Sequence, residues 1–312
     1  LLLGAATYYF LQPAGDLENY KSYFPVTERQ AAANEISVTF FGNTCLLFDD
    51  GTSKILIDPF LSRPTKWNTL TGEIGIDSIL VKGVAEKYLH GLNGIFVSHS
   101  HFDHILDLPL ITDMTKAKVY GSLSTLNYTA VNTENASTVE YDHEKGHKIG
   151  TFHVLPIRSM HSEPNIFNND LNQVFTSNKK LPYKLADFKE GGSFDFLITH
   201  GAKKFLVKAS FNSEEGQYVN QKVDVAFLGI TGLGKANQKT TDQYFTNLVS
   251  QISPNIIIPI HWDDFMHPLM YSLKPIFRLG DDIPKAFNKL IEREKEINYQ
   301  FLLMNAYQVR VF

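Results

Sequence analysis

Residues 97–104 read Val97-Ser98-His99-Ser100-His101-Phe102-Asp103-His104, and they follow a short apolar stretch, Gly94-Ile95-Phe96. A run this apolar predicts a strand that is buried on both faces. Neutral imidazoles beside a carboxylate are typical ligands of a borderline divalent metal, whereas protonated imidazoles would repel one another. Side chains two residues apart in an extended segment point the same way, so His99 and His101 can bind one ion. If a helix follows, Asp103 and His104 face a neighbouring point, which predicts ligands for two adjacent ions.

Three other stretches place an aspartate or a histidine just after a predicted strand. Asp58 follows Lys54-Ile55-Leu56-Ile57, and Pro59 ends that strand because proline cannot continue the hydrogen-bond ladder. His161 comes after the strand predicted over 152–157, and His261 follows Ile256-Ile257-Ile258-Pro259-Ile260. Several motifs in one order are more specific than any of them alone, so these residues are candidates for the same site.

Together these motifs resemble the metallo-β-lactamase superfamily, whose His-x-His-x-Asp-His signature residues 99–104 match in full. The resemblance extends from about residue 36 to residue 261 and implies an α/β fold, a four-layer αββα sandwich. It implies a metal site built from His99, His101, Asp103, His104, His161 and His261. The overall shape is similar to the lactonase-like and N-acyl-phosphatidylethanolamine phospholipase D-like branches, both of which have an early Gly-rich hairpin, here Phe41-Gly42-Asn43-Thr44.

Two carboxylates are expected to support this site rather than bind the metal. Asp58 matches the superfamily's early aspartate, and we expect it to hold the ligand loop, the alternative being a turn residue before Pro59. Asp264 is expected to accept from an imidazole N–H, the alternative being a helix N-cap. Asp103, besides being a ligand, could orient the attacking water and is the natural base if one ion is bound.

The sequence departs from the family pattern at one position. The family usually has an aspartate that bridges both metals after a hairpin, but residues 205–212 contain none, and Ser210 or Asn212 stands nearest. Two zinc ions bring a charge of +4, and Asp103 alone would leave +3. Three alternatives follow: a hydroxide alone bridges two ions, one ion binds to His99, His101 and His161, or another carboxylate moves in, with Glu163, Asp224 and Asp264 as candidates.

The order of the remaining elements fits two sheets between helices. Short apolar runs separated by turn residues predict strand pairs early in the chain, and strands alternate with helices later. Helices are predicted at 122–131, 240–253 and 281–295, and residues 61–90 are predicted to be a long loop with a helical piece. One domain, residues 35–312, is the simplest interpretation, after a lead-in at 1–34.

The apolar run at residues 1–11 is too short to span a bilayer, which needs about 20 residues. It is either the remnant of an export signal or membrane anchor, or a segment that packs on the body. The first alternative predicts a periplasmic or membrane-anchored protein that associates with membranes through this end. The second predicts a cytoplasmic one. The oligomeric state is not predicted.

Composition narrows the class of function. The net charge of -4 and the sequence pI of about 6.3 argue against a nucleic-acid binder. A single cysteine, Cys45, excludes a multi-cysteine zinc site, and its apolar neighbours predict that it is a buried small side chain. Any metal must therefore be held by histidine and carboxylate.

These observations predict a zinc-dependent hydrolase that acts on a small ester, lactone or phosphodiester. One or two zinc ions are expected from the ligand type, although iron or manganese accept the same set. A positively charged site would favour an anionic substrate, and the apolar N-terminal run would suit a lipid-like one. The alternative function, suggested by the missing bridging aspartate, is a metal-binding protein with little hydrolytic activity, a sensor or a scaffold.

Overall fold

The computed structural model describes residues 8–25, 31–32, 35–164 and 169–312. Within these ranges the strands are β1 Ser37–Phe40, β2 Leu46–Asp49, β3 Lys54–Ile57, β4 Gly94–Phe96, β5 Lys118–Gly121, β6 Thr138–Glu140, β7 His147–Ile149, β8 Phe152–Ser159, β9 Ser193–His200, β10 Lys203–Lys208, β11 Val225–Gly229, β12 Ile256–Ile260, β13 Gln300–Phe301 and β14 Gln308–Val311. The helices are α1 Lys66–Thr71, α2 Ser78–Tyr88, α3 Phe102–Ile105, α4 Leu108–Thr115, α5 Leu123–Asn132, α6 Gln238–Tyr244, α7 Ser250–Ile252 and α8 Ile283–Ile297.

The strands of the described ranges form two seven-stranded sheets, in the orders β14-β1-β2-β3-β4-β5-β6 and β13-β12-β11-β10-β9-β8-β7. β3 to β6 run parallel, as do β10 to β13. The carboxyl ends of parallel strands meet at one edge of a sheet, where ligands commonly bind. Asp58 follows β3, His99 follows β4 and His261 follows β12, so the fold brings these candidates to such edges.

Alternation along the strands separates two cores. In β3, Ile55 and Ile57 belong to a core shared by both sheets, whereas Leu56 belongs to a second core on the other side of the first sheet. Phe48 of β2 stacks edge-on against Phe205 and Phe227 of the opposite sheet. Because side chains alternate between faces with a period of two, each sheet is apolar on both faces and needs cover on both.

Helices cover the outer faces. The core outside the first sheet includes residues of α2, α3 and α4, and Phe287 and Leu290 of α8 join the core of the second sheet. The predicted α/β sandwich of the metallo-β-lactamase fold is therefore confirmed. Helix α5 begins after Ser122, whose hydroxyl accepts from the Thr125 amide, as an N-cap should.

Two predictions about helices need correction. Residues 61–90, predicted to be mainly loop, contain α1 and α2, which begin where Thr65 and Asp77 cap the first turn. The helix predicted at 240–253 begins at Gln238 and is interrupted by a π-helical segment, Phe245–Val249, before α7. Both segments bury apolar side chains over short stretches, so their tertiary packing decides a structure that weak periodicity does not indicate.

The described part of the lead-in packs on the body. Tyr20 is buried, and its hydroxyl donates to the carbonyl of Pro284 at 2.9 Å. Tyr8, Tyr9 and Phe10 are exposed, although the Leu279 amide donates to the Phe10 carbonyl. The remaining part of the predicted signal or anchor, residues 1–7, and the predicted domain boundary at 34 lie outside the described residues. In the described part of the chain, no helix has the length and apolar character needed to cross a bilayer.

Candidate metal centre

Six predicted ligands meet in two groups of three. One group is His99, His101 and His161, and the other is Asp103, His104 and His261. In each group the candidate ligand atoms lie within 4.8 Å of one another. The ring centroids of His99 and His104 are 3.8 Å apart, which makes the two groups neighbours. Each group could hold one divalent ion.

The local backbone explains how one short loop serves both groups. His101 is extended, with φ -67° and ψ 154°, and serves as the N-cap of α3. Asp103 and His104 lie inside that helix and are therefore turned away from His99 and His101. The extended segment followed by a helical turn is what the spacing of the motif predicts. Asn43 steadies the turn, since its Nδ2 donates to the Asp103 carbonyl at 2.5 Å.

Hydrogen bonds fix which nitrogen of each ring is available to a metal. His104 uses Nδ1 for Asp58 Oδ2, at 2.8 Å, and His101 uses Nε2 for Asp170 Oδ1, at 3.1 Å. This leaves Nε2 of His104 and Nδ1 of His101 for an ion. His99 Nδ1 lies 3.2 Å from Ser98 Oγ, whereas His99 Nε2 is buried without any hydrogen-bond partner. A buried polar atom without a partner is costly, and a metal bond at this nitrogen would satisfy it.

The electrostatic environment keeps His99 and His161 of the first group neutral. Burial and the nearby His104 hold the pKa of His99 well below its usual value. Loss of hydration, together with His101 and His104, lowers the pKa of His161 to about 3. Both imidazoles are therefore unprotonated at neutral pH and ready to bind a cation without releasing a proton.

The second group has the opposite character. Burial alone would lower the pKa of His104, but Asp103 and Asp58 overcome it and raise this pKa to about 10. Burial would likewise raise the pKa of Asp103, but His104 and His261 hold it well below its usual value. Without metal, this group is thus an ion-paired cluster, in which an added cation would replace the proton on His104.

The low pKa of His161 predicts how the metal-free protein responds to acid. Its folded pKa of about 3 lies below the ordinary imidazole value of 6.5, so the folded state binds fewer protons than the unfolded state. The stability linked to this group is present above pH 6.5 and is lost as the pH falls toward 3. In urea unfolding of chelator-treated protein, His161→Gln should therefore gain stability relative to wild type between pH 6.5 and 4. A difference between the two proteins that does not change with pH would contradict this.

The buried carboxylate of Asp58 contacts the loop of residues 97–104, which carries four of the candidate ligands. Its carboxylate accepts from the Ser98 amide at 2.6 Å and from Ser98 Oγ at 2.7 Å, besides contacting His104. Its φ of +45° is a left-handed conformation, which aspartate and asparagine adopt more readily than most residues. These contacts favour the supporting role over that of a turn residue alone.

Asp58→Asn tests this role without straining the backbone. The amide that replaces Oδ2 cannot accept from His104 Nδ1, so we expect metal affinity to fall by about 10- to 100-fold. Competition titration against a chelator measures the change. Asp107→Asn is the matched control, because Asp107 is also fully buried and accepts from Leu61, Ser62 and the Ser62 hydroxyl. An equal loss of affinity in both variants would point to a general effect of removing a buried carboxylate.

Asp264 does not have the predicted contact. Its carboxylate lies 2.6 Å from Lys66 Nζ and accepts from the Met266 amide at 3.1 Å, rather than accepting from an imidazole. The neighbouring Asp263 pairs with Arg63 and accepts from the Asn43 amide. The reason is that residues 263–264 turn away from His261 toward the segment that carries Arg63 and Lys66.

The other two substitutes for a bridging carboxylate do not fit either. Asp224 precedes β11, at the opposite end of that strand from the edge where His261 follows β12, and accepts from the Lys204 amide. Glu163 is exposed. Ser210, in contrast, stands at the right edge: Lys208, Leu228 and Pro259 are paired across β10, β11 and β12, so Ser210 and His261 each lie two residues beyond this row.

Asp170 is a residue that the sequence did not single out. Besides His101, it contacts the Glu190 amide, which donates to Asp170 Oδ2 at 3.1 Å. Glu190 is buried and is not one of the candidate ligands. Its carbonyl accepts from the Ser100 amide, so the loop that contains Glu190 is held against residues 99–104. No motif or periodicity marks Asp170, which lies in a polar stretch some 70 residues beyond its partner.

A glycine-rich turn at residues 229–235 is filled by a carboxylate of the chain itself. Its amides at Gly232, Gly234 and Lys235 donate to the carboxylate of Asp281. The chain itself thus supplies the anion, and this turn binds no external one there. Thr231 Oγ1 lies 3.3 Å from His261 Nδ1, so the same turn also orients a candidate ligand.

A family model described as the β-lactamase superfamily domain matches residues 53–262. The chain belongs to the metallo-β-lactamase superfamily. Within it, a UPF0173 metal-dependent hydrolase of Myxococcus xanthus is 32% identical over 104 residues, which are 32% of this chain and 32% of that protein. A UPF0173 protein of Pyrococcus furiosus is 23% identical over 230 residues, covering 74% of this chain and 85% of that protein.

Solved structures of the superfamily share the fold at low sequence identity. A metallo hydrolase of the archaeon Ignicoccus hospitalis superposes with a TM-score of 0.58 and 14% identity, covering 89% of this chain and 98% of that chain. The chain spans about a third of the Myxococcus relative's length, so this similarity alone does not establish the activity of the chain.

Proposed function

We propose that this superfamily member is a metal-dependent hydrolase with two adjacent metal sites, of which zinc is the expected occupant. The observation that carries the proposal is the pair of ligand triads, with the buried, unpartnered Nε2 of His99 pointing to a missing bond. Five imidazoles and one carboxylate are a donor set that suits zinc, and iron or manganese would also accept it. A bound ion of this kind lowers the pKa of a coordinated water from about 15.7 toward 7.

The residues of the chain have distinct roles in this proposal. His99, His101 and His161 would hold the first ion, and Asp103, His104 and His261 the second. Asp58 orients His104, and Asp170 orients His101. Asp103 faces both His104 and His261, at 3.4 and 3.3 Å, and is the carboxylate placed to take part in orienting a reacting water.

The charge balance supports an anionic substrate. Asp103 stands alone among the six candidate ligands as a carboxylate, and Asp58 and Asp170 act one step further out through imidazoles. Two divalent ions carry +4 and these three carboxylates carry −3, which leaves a charge of +1. Ser210, at the position of the family's bridging aspartate, adds no negative charge. A positive site with this surplus attracts carboxylate- or phosphate-bearing substrates.

A cleft beside His161 supports a small substrate. Its volume is about 320 Å³, within the range of small-molecule pockets, and its lining includes Ser159 and Met160 just before His161. Arg158 and Glu214 also line it, so the cleft offers both a cation and a carboxylate, and none of the six candidate ligands is among its lining residues. An ester, lactone or phosphodiester is the substrate class we propose, and the charge of the site favours an anionic member such as a phosphodiester.

Reconstitution tests the proposal. Metal-free protein would be loaded with Zn²⁺, Mn²⁺ or Fe²⁺ and assayed on bis(p-nitrophenyl) phosphate, p-nitrophenyl acetate and γ-butyrolactone. We expect two ions per chain and metal-dependent turnover of at least one of the three. Protein that binds two ions but hydrolyses none of them would favour the alternative, a metal-binding sensor or scaffold, to which the serine at position 210 also points.

A further inference from the structure

The strand β10 ends in a lysine that is completely buried. Lys208 Nζ donates to Asp195 Oδ2 at 2.8 Å, to Asn212 Oδ1 at 2.8 Å and to Ser159 Oγ at 3.0 Å. All three hydrogens of the ammonium group therefore have a partner, as a buried cation requires. Tyr218 adds a fifth member, because its hydroxyl donates to the same oxygen of Asp195.

This network reaches the metal centre through an amide. Because Lys208 donates to Oδ1 of Asn212, the side-chain amide is fixed with Nδ2 on the other side. That Nδ2 donates to the carbonyl of Met160, the residue immediately before His161. This contact holds the peptide between Met160 and His161, just beyond the carboxyl end of β8.

The location matters because β8 ends at Ser159, leaving Met160 and His161 beyond the sheet. Residues beyond the ladder lack its backbone hydrogen bonds and need other contacts to hold their place. His161 is also the one ligand of the first triad that does not belong to the 99–104 loop.

We infer that Lys208 and Asn212 are positioning residues that hold His161 in place for the first metal ion. This inference rests on the proposed function, in which His161 is a ligand, and goes beyond it by naming what sets the geometry of that triad. Lys208 and Asn212 flank Ser210, the residue at the position where the family usually has a metal-bridging aspartate.

Asn212→Asp separates positioning from folding. The new carboxylate still accepts from Lys208, so the fold should be kept, but it cannot donate to the Met160 carbonyl and would repel it. We expect unchanged or higher apo-protein melting temperature together with a loss of about 10- to 100-fold in Zn²⁺ affinity at one of two sites, the size typical of a residue that supports a ligand. Competition titration of metal-free protein with Zn²⁺ resolves the two sites without depending on activity.

Gln217→Glu is the matched control. Gln217 Nε2 donates to the Arg158 carbonyl at 2.8 Å, on the same strand end but two peptides further from His161, so this change should leave both affinities intact. Equal losses in Asn212→Asp and Gln217→Glu would overturn the inference in favour of a general loosening of this edge.

His161→Ala separates failure of the inference from failure of the proposed function. We expect it to remove the same site that Asn212→Asp weakens. If His161→Ala removes one site and Asn212→Asp leaves both affinities at wild-type values, the inference is wrong and the metal centre stands. If His161→Ala changes neither affinity, the proposed first site is wrong and the inference fails with it.

Discussion

Replacing His101 with alanine should remove the metal from the first site and, with it, hydrolysis. His101 contributes a ligand nitrogen to the first triad while its Nε2 lies 3.1 Å from Asp170. Loss of the first ion would remove one of the two metals that lower the pKa of the reacting water, so we expect turnover to fall below about one thousandth of the wild-type rate. Metal analysis should show the loss of one ion per chain, and steady-state assays with the best of the three substrates measure the rate.

His200→Ala is the control for this experiment. His200 also pairs its Nε2 with a carboxylate, Asp50 Oδ2 at 2.9 Å, but it lies at the far end of β9 from Ser193, which pairs with Ser159 at the end of β8 that precedes His161. Seven residue steps along a strand correspond to about 24 Å. His200→Ala should therefore keep both ions and near-normal turnover. If His101→Ala retained wild-type turnover, or if both variants lost it equally, the first site could not be the reaction centre.

Replacing Lys208 with methionine should produce the largest loss of stability. The side chains of Lys208 and Asp195 are 0% and 3% exposed, and their charges are 2.8 Å apart. Removing one partner leaves a buried carboxylate uncompensated, which costs about 3–5 kcal/mol of unfolding free energy. Urea unfolding of the metal-free protein, monitored by tryptophan fluorescence, measures this loss.

The double variant Lys208→Met with Asp195→Asn shows whether the cost comes from the unpaired charge. Asparagine removes the stranded charge with little change in volume, so the double variant should be more stable than Lys208→Met alone, with a coupling of about 0.5–3 kcal/mol. Lys204→Met, on the same strand but exposed, should change stability by less than about 0.5 kcal/mol. Strictly additive effects of the two buried changes would show that the pair does not interact as described.

Much of the fold could be predicted because it depends on local pattern. The apolar stretch before residue 97, the strand at Lys54–Ile57 and the strand at Ile256–Ile260 are short, continuous and bounded by turn residues. The helix predicted at 122–131 agrees closely with α5, which begins after the Ser122 cap. Helices α1 and α2 could not be predicted, because α1 buries only Thr69 and α2 buries only three apolar side chains, so neither has a strong apolar pattern in the sequence.

The sequence by itself determined the superfamily and the six candidate ligands, because a metal demands particular donor atoms at particular spacings along a few strand ends. Only the tertiary structure decided that Asp170 contacts His101 and Asp58 contacts His104. It also decided that Asp264 pairs with Lys66 and that Lys208 donates to Ser159, just before His161. These partners are separated by tens or hundreds of residues, and no periodicity links their positions. Their contacts arise when both sheets close and buried charges must find the partner that the folded backbone places within reach.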